Sequence, residues 1–137
     1  MRTSPKLLLA ALCLLLVAGL TPVTHAQNQS ATEFYMAYRA AFAKATKIED
    51  VTPFMSKATL AEINETPAAE RAKMFGMLKM MDTYTNVKVL KEAKTAQGVT
   101  LSVEGVDAKK AKATATVEIV KEGTAWKLGG ENWKGSF

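Results

Sequence analysis

Apolar and polar residues alternate along this chain with two periods, and the changeover falls near Tyr84. Before it, apolar residues recur every third or fourth position, as on one face of a helix; after it, they recur at every second position, as on one face of a strand. The chain therefore reads as a helical half followed by a stranded half.

Ser30-Ala31-Thr32-Glu33 has the capping-box pattern, in which the serine hydroxyl accepts from the Glu33 amide and the glutamate reaches back to the Ser30 amide. A first helix is expected from near Ala31. Phe34, Tyr38, Ala41 and Ala45 share one face of it, with Tyr35 and Phe42 alongside, while Arg39, Lys44 and Lys47 fall elsewhere on the wheel. Residues 47–56 read as a break and a short helical turn around Pro53, and residues 57–63 as a second helix capped by Ser56. Thr66-Pro67 supplies an N-cap and a first-turn proline for a third helix, expected to run from 67 to 83. Its apolar stripe is Met74, Met77, Leu78 and Met81, flanked by Phe75 and Met80. Gly76 in its middle costs about 1 kcal/mol relative to alanine, which suggests a close backbone approach there.

In the second half, Val87 and Val89 alternate with polar residues, and a Gln97-Gly98 turn leads into Val99, Leu101 and Val103. After a polar loop at 107–110, Ala113, Ala115, Val117 and Ile119 share one face, and a Glu122-Gly123 turn precedes Trp126 and Leu128. Clean alternation with short turns implies an antiparallel meander with one face on the core and one wet. The expected fold class is α+β, with N-terminal helices packed on one face of a curved four-stranded antiparallel sheet.

Composition changes the picture through the first 26 residues. Arg2 and Lys6 precede the uncharged run 7–20, and Thr24-His25-Ala26 places small residues at the cleavage-determining positions, which is the pattern of a secretory signal peptide. The uncharged run is shorter than the roughly 20 apolar residues of a membrane span. Cys13 lies in the middle of that run after Leu12, where a lipoprotein would carry a small residue. The expected organisation is a leader at 1–26 and a single α+β domain at 27–137, periplasmic or secreted, with no stable membrane span after cleavage. Loss of Arg2 and Lys6 with the leader lowers the formal charge from +5 to +3, and Cys13 and His25 leave with it. Without Cys or His the remaining chain has no Cys-His or Ser-His-Asp nucleophile, no zinc site of Cys and His ligands and no disulfide.

The element order, the acidic junction Ile48-Glu49-Asp50 and the closing run Glu122-Gly123-Thr124-Ala125-Trp126-Lys127-Leu128-Gly129-Gly130-Glu131 resemble small exported members of the nuclear transport factor 2-like superfamily. The closing run is similar to the Gly-x-Trp-Lys-hydrophobic strand of those domains, with one extra residue between Gly and Trp. A cystatin-like helix on a four-stranded sheet is the structural alternative. The resemblance implies a cone of helices and curved sheet around a pocket, used by some relatives to bind ligands and by a minority for isomerisation or cyclisation. Fold alone does not carry function across.

An isomerase-type reaction needs a carboxylate and a Tyr or protonated acid facing one cavity. Asp50 and Asp82 fall near helix ends, Asp107 in a turn, and Glu104 and Glu118 opposite the apolar face, so no strand acid is expected inside the cone. Met74, Met77, Met80 and Met81 are expected to line an adaptable apolar pocket or to fill the core, and Tyr35, Tyr38, Tyr84 and Trp126 to offer polar tips to a ligand or to pack in the core with those tips at the surface. Lys109, Lys110 and Lys112 form the densest basic group, which reads as protection of a sheet edge; no nucleic-acid partner is expected from lysines spread among acids. The expected function is an exported, non-enzymatic domain that needs no cofactor and binds a small apolar ligand or another protein, with dimerisation through the sheet face available to it. An inhibitor or immunity-type protein module and a small isomerase-like or cyclase-like enzyme are the alternatives. A pocket binder predicts a closed apolar cavity bounded by Tyr38, Met77 and Trp126, an interaction module a filled cavity with an apolar patch elsewhere, and an enzyme a carboxylate inside.

Overall fold

Ser30 opens α1 (Ala31–Lys44) with a complete capping box: its Oγ accepts from the Glu33 amide at 3.1 Å, and Glu33 Oε2 accepts from the Ser30 amide at 2.8 Å. The computed structural model describes residues 29–135, so the expected leader, with Cys13 and His25, lies outside the described residues. Two single 3-10 turns, Ile48–Asp50 and Thr52–Phe54, occupy the break after α1. Asp50 Oδ2 accepts from the amides of Thr46 and Lys47 at 2.9 and 3.2 Å, and these backbone donors hold its pKa below the ordinary aspartate value. Ser56 caps α2 (Lys57–Glu65) through the Thr59 amide, and α3 follows at Ala68–Met81.

Thr66 differs from expectation. It closes α2 instead of opening α3, with its Oγ1 donating to the Glu62 carbonyl at 3.3 Å, and Pro67 occupies the N-cap position with no side-chain bond. The proline still starts the helix, since its fixed φ suits the entry.

The strands β1 (Thr85–Lys94), β2 (Gly98–Val106), β3 (Lys112–Glu122) and β4 (Ala125–Lys134) form one antiparallel sheet in the order β1-β2-β3-β4. The turn between β3 and β4 is closed by Gly123, whose φ of +63° favours glycine. Leu101, Val103, Val117 and Ile119 of the central strands are fully buried beneath Phe34, Tyr35, Tyr38 and Phe42 of α1, while Ser102, Thr114, Thr116 and Glu118 face outward. Burial of each large apolar side chain in this layer contributes about 1.5–3 kcal/mol. Three helices on one open sheet thus give the α+β class, and among the described residues no helix is long and apolar enough to cross a membrane.

Three bulges shift the alternation, the first between Thr85 and Lys88 at the start of β1. Val89 pairs with Val103 but Lys91 with Ser102, so Leu90 is an extra residue and the parity of β1 reverses beyond it. Glu92 consequently faces the start of α1, where it accepts from the Thr32 amide at 3.0 Å, an anion at the positive end of a helix. In β4, Leu128 pairs with Ile119 and Gly130 with Glu118, which leaves Gly129 as the extra residue. A Cβ at Gly129 would stand 3.1 Å from Val120 Cγ1 and 3.3 Å from the Glu118 carbonyl, so the bulge fits glycine.

The third helix departs most from the sequence reading. Phe75 is buried and Met74 half-buried, but Met77, Leu78, Met80 and Met81 are 59, 44, 75 and 68 % exposed. The reason is geometric: α1 already covers the inner face of the sheet, and α3 reaches only the 48–50 turn and the end of α1. There the Phe75 ring meets Phe42 edge-on at 5.8 Å, and Lys79 Nζ donates to the carbonyls of Phe42 and Ala43 at 2.6 and 3.0 Å, satisfying the terminal acceptors of α1. Gly76 has open space around it, so the expected close approach does not occur. The expected edge role of Lys109, Lys110 and Lys112 also fails, because β2 and β3 are the central strands; Lys112 pairs with Glu104 on the outer face. Edge strand β1 carries Lys88, Lys91 and Lys94 instead.

Candidate functional site

The bulge at Gly129 sets the site. Without the extra residue, the alternation that buries Leu128 would send Glu131 and Trp133 outward; with it, they pair with Val117 and Ala115 and face α1. A strand acid therefore does enter the space between helix and sheet, contrary to the expectation drawn from Glu104 and Glu118. Glu131 was hidden by a parity slip, and the Gly129-Gly130 pair inside a strand was the signal that marks such a slip.

Glu131 Oε1 accepts from the Tyr35 hydroxyl at 2.9 Å, from Arg39 Nη1 at 3.5 Å and from the Trp133 indole Nε1. Arg39 also donates to Asp82 Oδ1 at 2.7 Å and to the Tyr84 carbonyl at 3.5 Å. The three ionic side chains are only 12 to 18 % exposed. Burial works against the Arg39 charge, but the bond and charge of Asp82, with Glu131 behind, outweigh it and hold its pKa above the ordinary arginine value. Burial, reinforced by the nearby Glu131 charge, pushes the Tyr35 and Tyr38 phenols well above the ordinary tyrosine range. Tyr84 stacks on Trp133 with ring centroids 4.0 Å apart and planes 11° from parallel, and Arg39 sits 5.8 Å from the same indole.

Above this network lies a cleft of about 560 Å³. Tyr38, Arg39 and Phe42 of α1 form one wall, Leu78 and Met81 of α3 a lip, Asp82 and Tyr84 the junction into β1, Glu131 and Trp133 of β4 the floor, and the 107–109 turn the far rim. Tyr38 is 6 % exposed and its hydroxyl has no hydrogen-bond partner among the described residues. The cleft offers an aromatic and aliphatic lining with a compact ion network at its base, which suits a molecule with an apolar body and a polar end.

The residues singled out from sequence divide. Tyr38, Met81 and Tyr84 come together in this cleft. Met74 packs on the edge of the core, Met77 stands out from α3, and Trp126 lies at the other end of the sheet, where its Nε1 donates to the Gln29 carbonyl at 2.7 Å and Lys121 Nζ rests 4.7 Å above its ring. Tyr38, Met77 and Trp126 accordingly do not bound one closed cavity. Arg39, Glu131 and Trp133 complete the cleft and were missed. A wider hollow of about 740 Å³ lies beside Trp126, between the 95–98 and 122–125 turns, but it holds a single aromatic ring and no ion network. Comparison with protein-family models, with curated proteins and with solved structures yields no significant match to this chain.

Proposed function

We propose that this chain is an exported, non-enzymatic binding domain of the nuclear transport factor 2-like type, which takes a small molecule with an apolar body and a polar end into the cleft between α1 and the end of β4. The observation that carries the reading is the amphipathic build of the cleft: Phe42, Leu78, Met81 and Tyr84 line it, while Arg39, Asp82 and Glu131 form its polar base. Support for the superfamily comes from the order of three helices and a four-stranded meander, and support for export from the leader pattern of residues 1–26. The isomerase-like alternative gains a carboxylate in the cleft, yet Glu131 Oε1 already serves three donors, which is the build of a positioning anchor.

A variant with Trp126→Phe leaves Trp133 as the sole indole and a reporter of the cleft. Titration with Nile red, a neutral apolar dye, is expected to quench Trp133 emission saturably. Ala108→Phe, a substitution at the exposed rim that fills the mouth, is expected to abolish the quenching. Quenching that survives Ala108→Phe but disappears in Met77→Lys would move binding to the outer face of α3 and overturn the cleft assignment.

A further inference from the structure

Four of the chain's seven methionines fall between residues 74 and 81, and three of them, Met77, Met80 and Met81, are 59 to 75 % exposed. Methionine is a good helix former, so propensity alone admits it here, but apolar side chains this exposed serve neither solubility nor packing. The apolar residues of α3 do not gather on its buried side, where Phe75 alone is fully covered. Packing therefore explains Phe75 and part of Met74, but not the other thioethers.

Their spacing matters. At about 100° per residue, Met77 lies about 60° from Met74 and about 40° from Met81 around the helix, so these three form one line along a single face. Met80 points about 60° to the other side of Met77, away from Met74 and Met81. Side chains at i, i+3 and i, i+4 have Cβ atoms about 5–6 Å apart, and methionine's three rotatable bonds let neighbouring sulfurs converge. The described residues contain neither Cys nor His, so thioethers are their only soft donors.

We propose that Met74, Met77 and Met81 form a thioether site along one side of α3, beside the lip of the cleft, for a soft monovalent d10 ion, Cu(I) or Ag(I). Neutral thioethers suit such ions better than Mg(II), which takes oxygen donors, or Zn(II), which takes thiolate, imidazole or carboxylate. A thioether carries no proton to displace, so binding is independent of pH where a carboxylate or imidazole site would weaken on acidification. The half-buried Met74 fixes one donor against the core, and Met77 and Met81 close on the ion from the exposed side.

The test uses the chain labelled with 13C at its methionine methyl groups and titrated with Ag(I) alone, then with Cu(I) against a bicinchoninate competitor under nitrogen. One ion per chain is expected, with shifts of the Met74, Met77 and Met81 methyls, no shift of Met36 or Met55, and equal affinity at pH 5 and pH 8. Leucine keeps the methionine volume, so Met77→Leu and Met81→Leu retain the fold, checked by circular dichroism. Each is expected to weaken binding at least about tenfold, since loss of outer-shell partners alone costs that much at metal sites; Met80→Leu is expected to leave it unchanged. Absence of binding, binding that persists when Met74, Met77 and Met81 are all leucine, or an equal loss from Met80→Leu would each overturn the site.

Discussion

Glu131 shows how much one side chain sets here. Its carboxylate joins a phenol of α1, a guanidinium that also holds Asp82, and the indole two residues along its own strand. The same burial makes the neighbouring phenols sensitive to base. In the unfolded chain Tyr35 and Tyr38 ionise near the ordinary value of 10.0, whereas the folded chain keeps both protonated well beyond it. Above pH 10 the folded state therefore holds protons that the unfolded state has lost, and stability falls as pH rises; below pH 10 these groups contribute no pH dependence. Each phenol contributes a slope of up to about 1.4 kcal/mol per pH unit. Urea midpoints measured between about pH 9 and pH 12 are expected to fall steeply for the native chain and about half as steeply for Tyr35→Phe, which removes one of the two phenols. A flat profile for the native chain would contradict this assignment.

At the level of elements, two glycines that look alike in the sequence behave in opposite ways. Gly76 sits in a helix with open space where a Cβ would go, so Gly76→Ala is expected to stabilise by about 1 kcal/mol. Gly129 forms the β4 bulge against Val120 and the Glu118 carbonyl, so Gly129→Val is expected to destabilise by about 1–3 kcal/mol and to disturb Trp133 emission. Urea denaturation of the two variants checks both signs. The helix starts at Ser30 and Ser56 and the alternation of β2 and β3 were legible because capping and period are local properties. The parity of β4 was not, since whether Gly129 occupies a ladder position depends on where Val120 and Glu118 stand across the strand pair. The methionine stripe misled for a related reason: periodicity marks an apolar face, but α1 had already taken the surface that would bury it. Of the cleft, Tyr38, Met81 and Tyr84 were readable, whereas Arg39 and the residues after the bulge were not.

Across the whole molecule, anchoring is uneven. The first helix lies over the sheet and is tied to β1, β4 and the α3–β1 junction by Thr32, Tyr35 and Arg39, whereas α3 is held mainly by Phe75 and Lys79. Hydrogen exchange is expected to be faster in α3 than in α1, β2 or β3, and Lys79→Ala is expected to accelerate it further without a matching change in the sheet. Protection of α3 equal to that of Leu101 and Val117 would refute this ranking. The Tyr35 to Glu131 bond also has a consequence in time. Its partners stand 96 residues apart, at opposite ends of the described chain. While the polypeptide is being synthesised, α1 has no finished sheet to lie on until β4 has left the ribosome. Such distant pairing delays folding through the cost of closing a long loop. From the emergence of α1 to that of β4, a nascent chain with this topology stays open to chaperones.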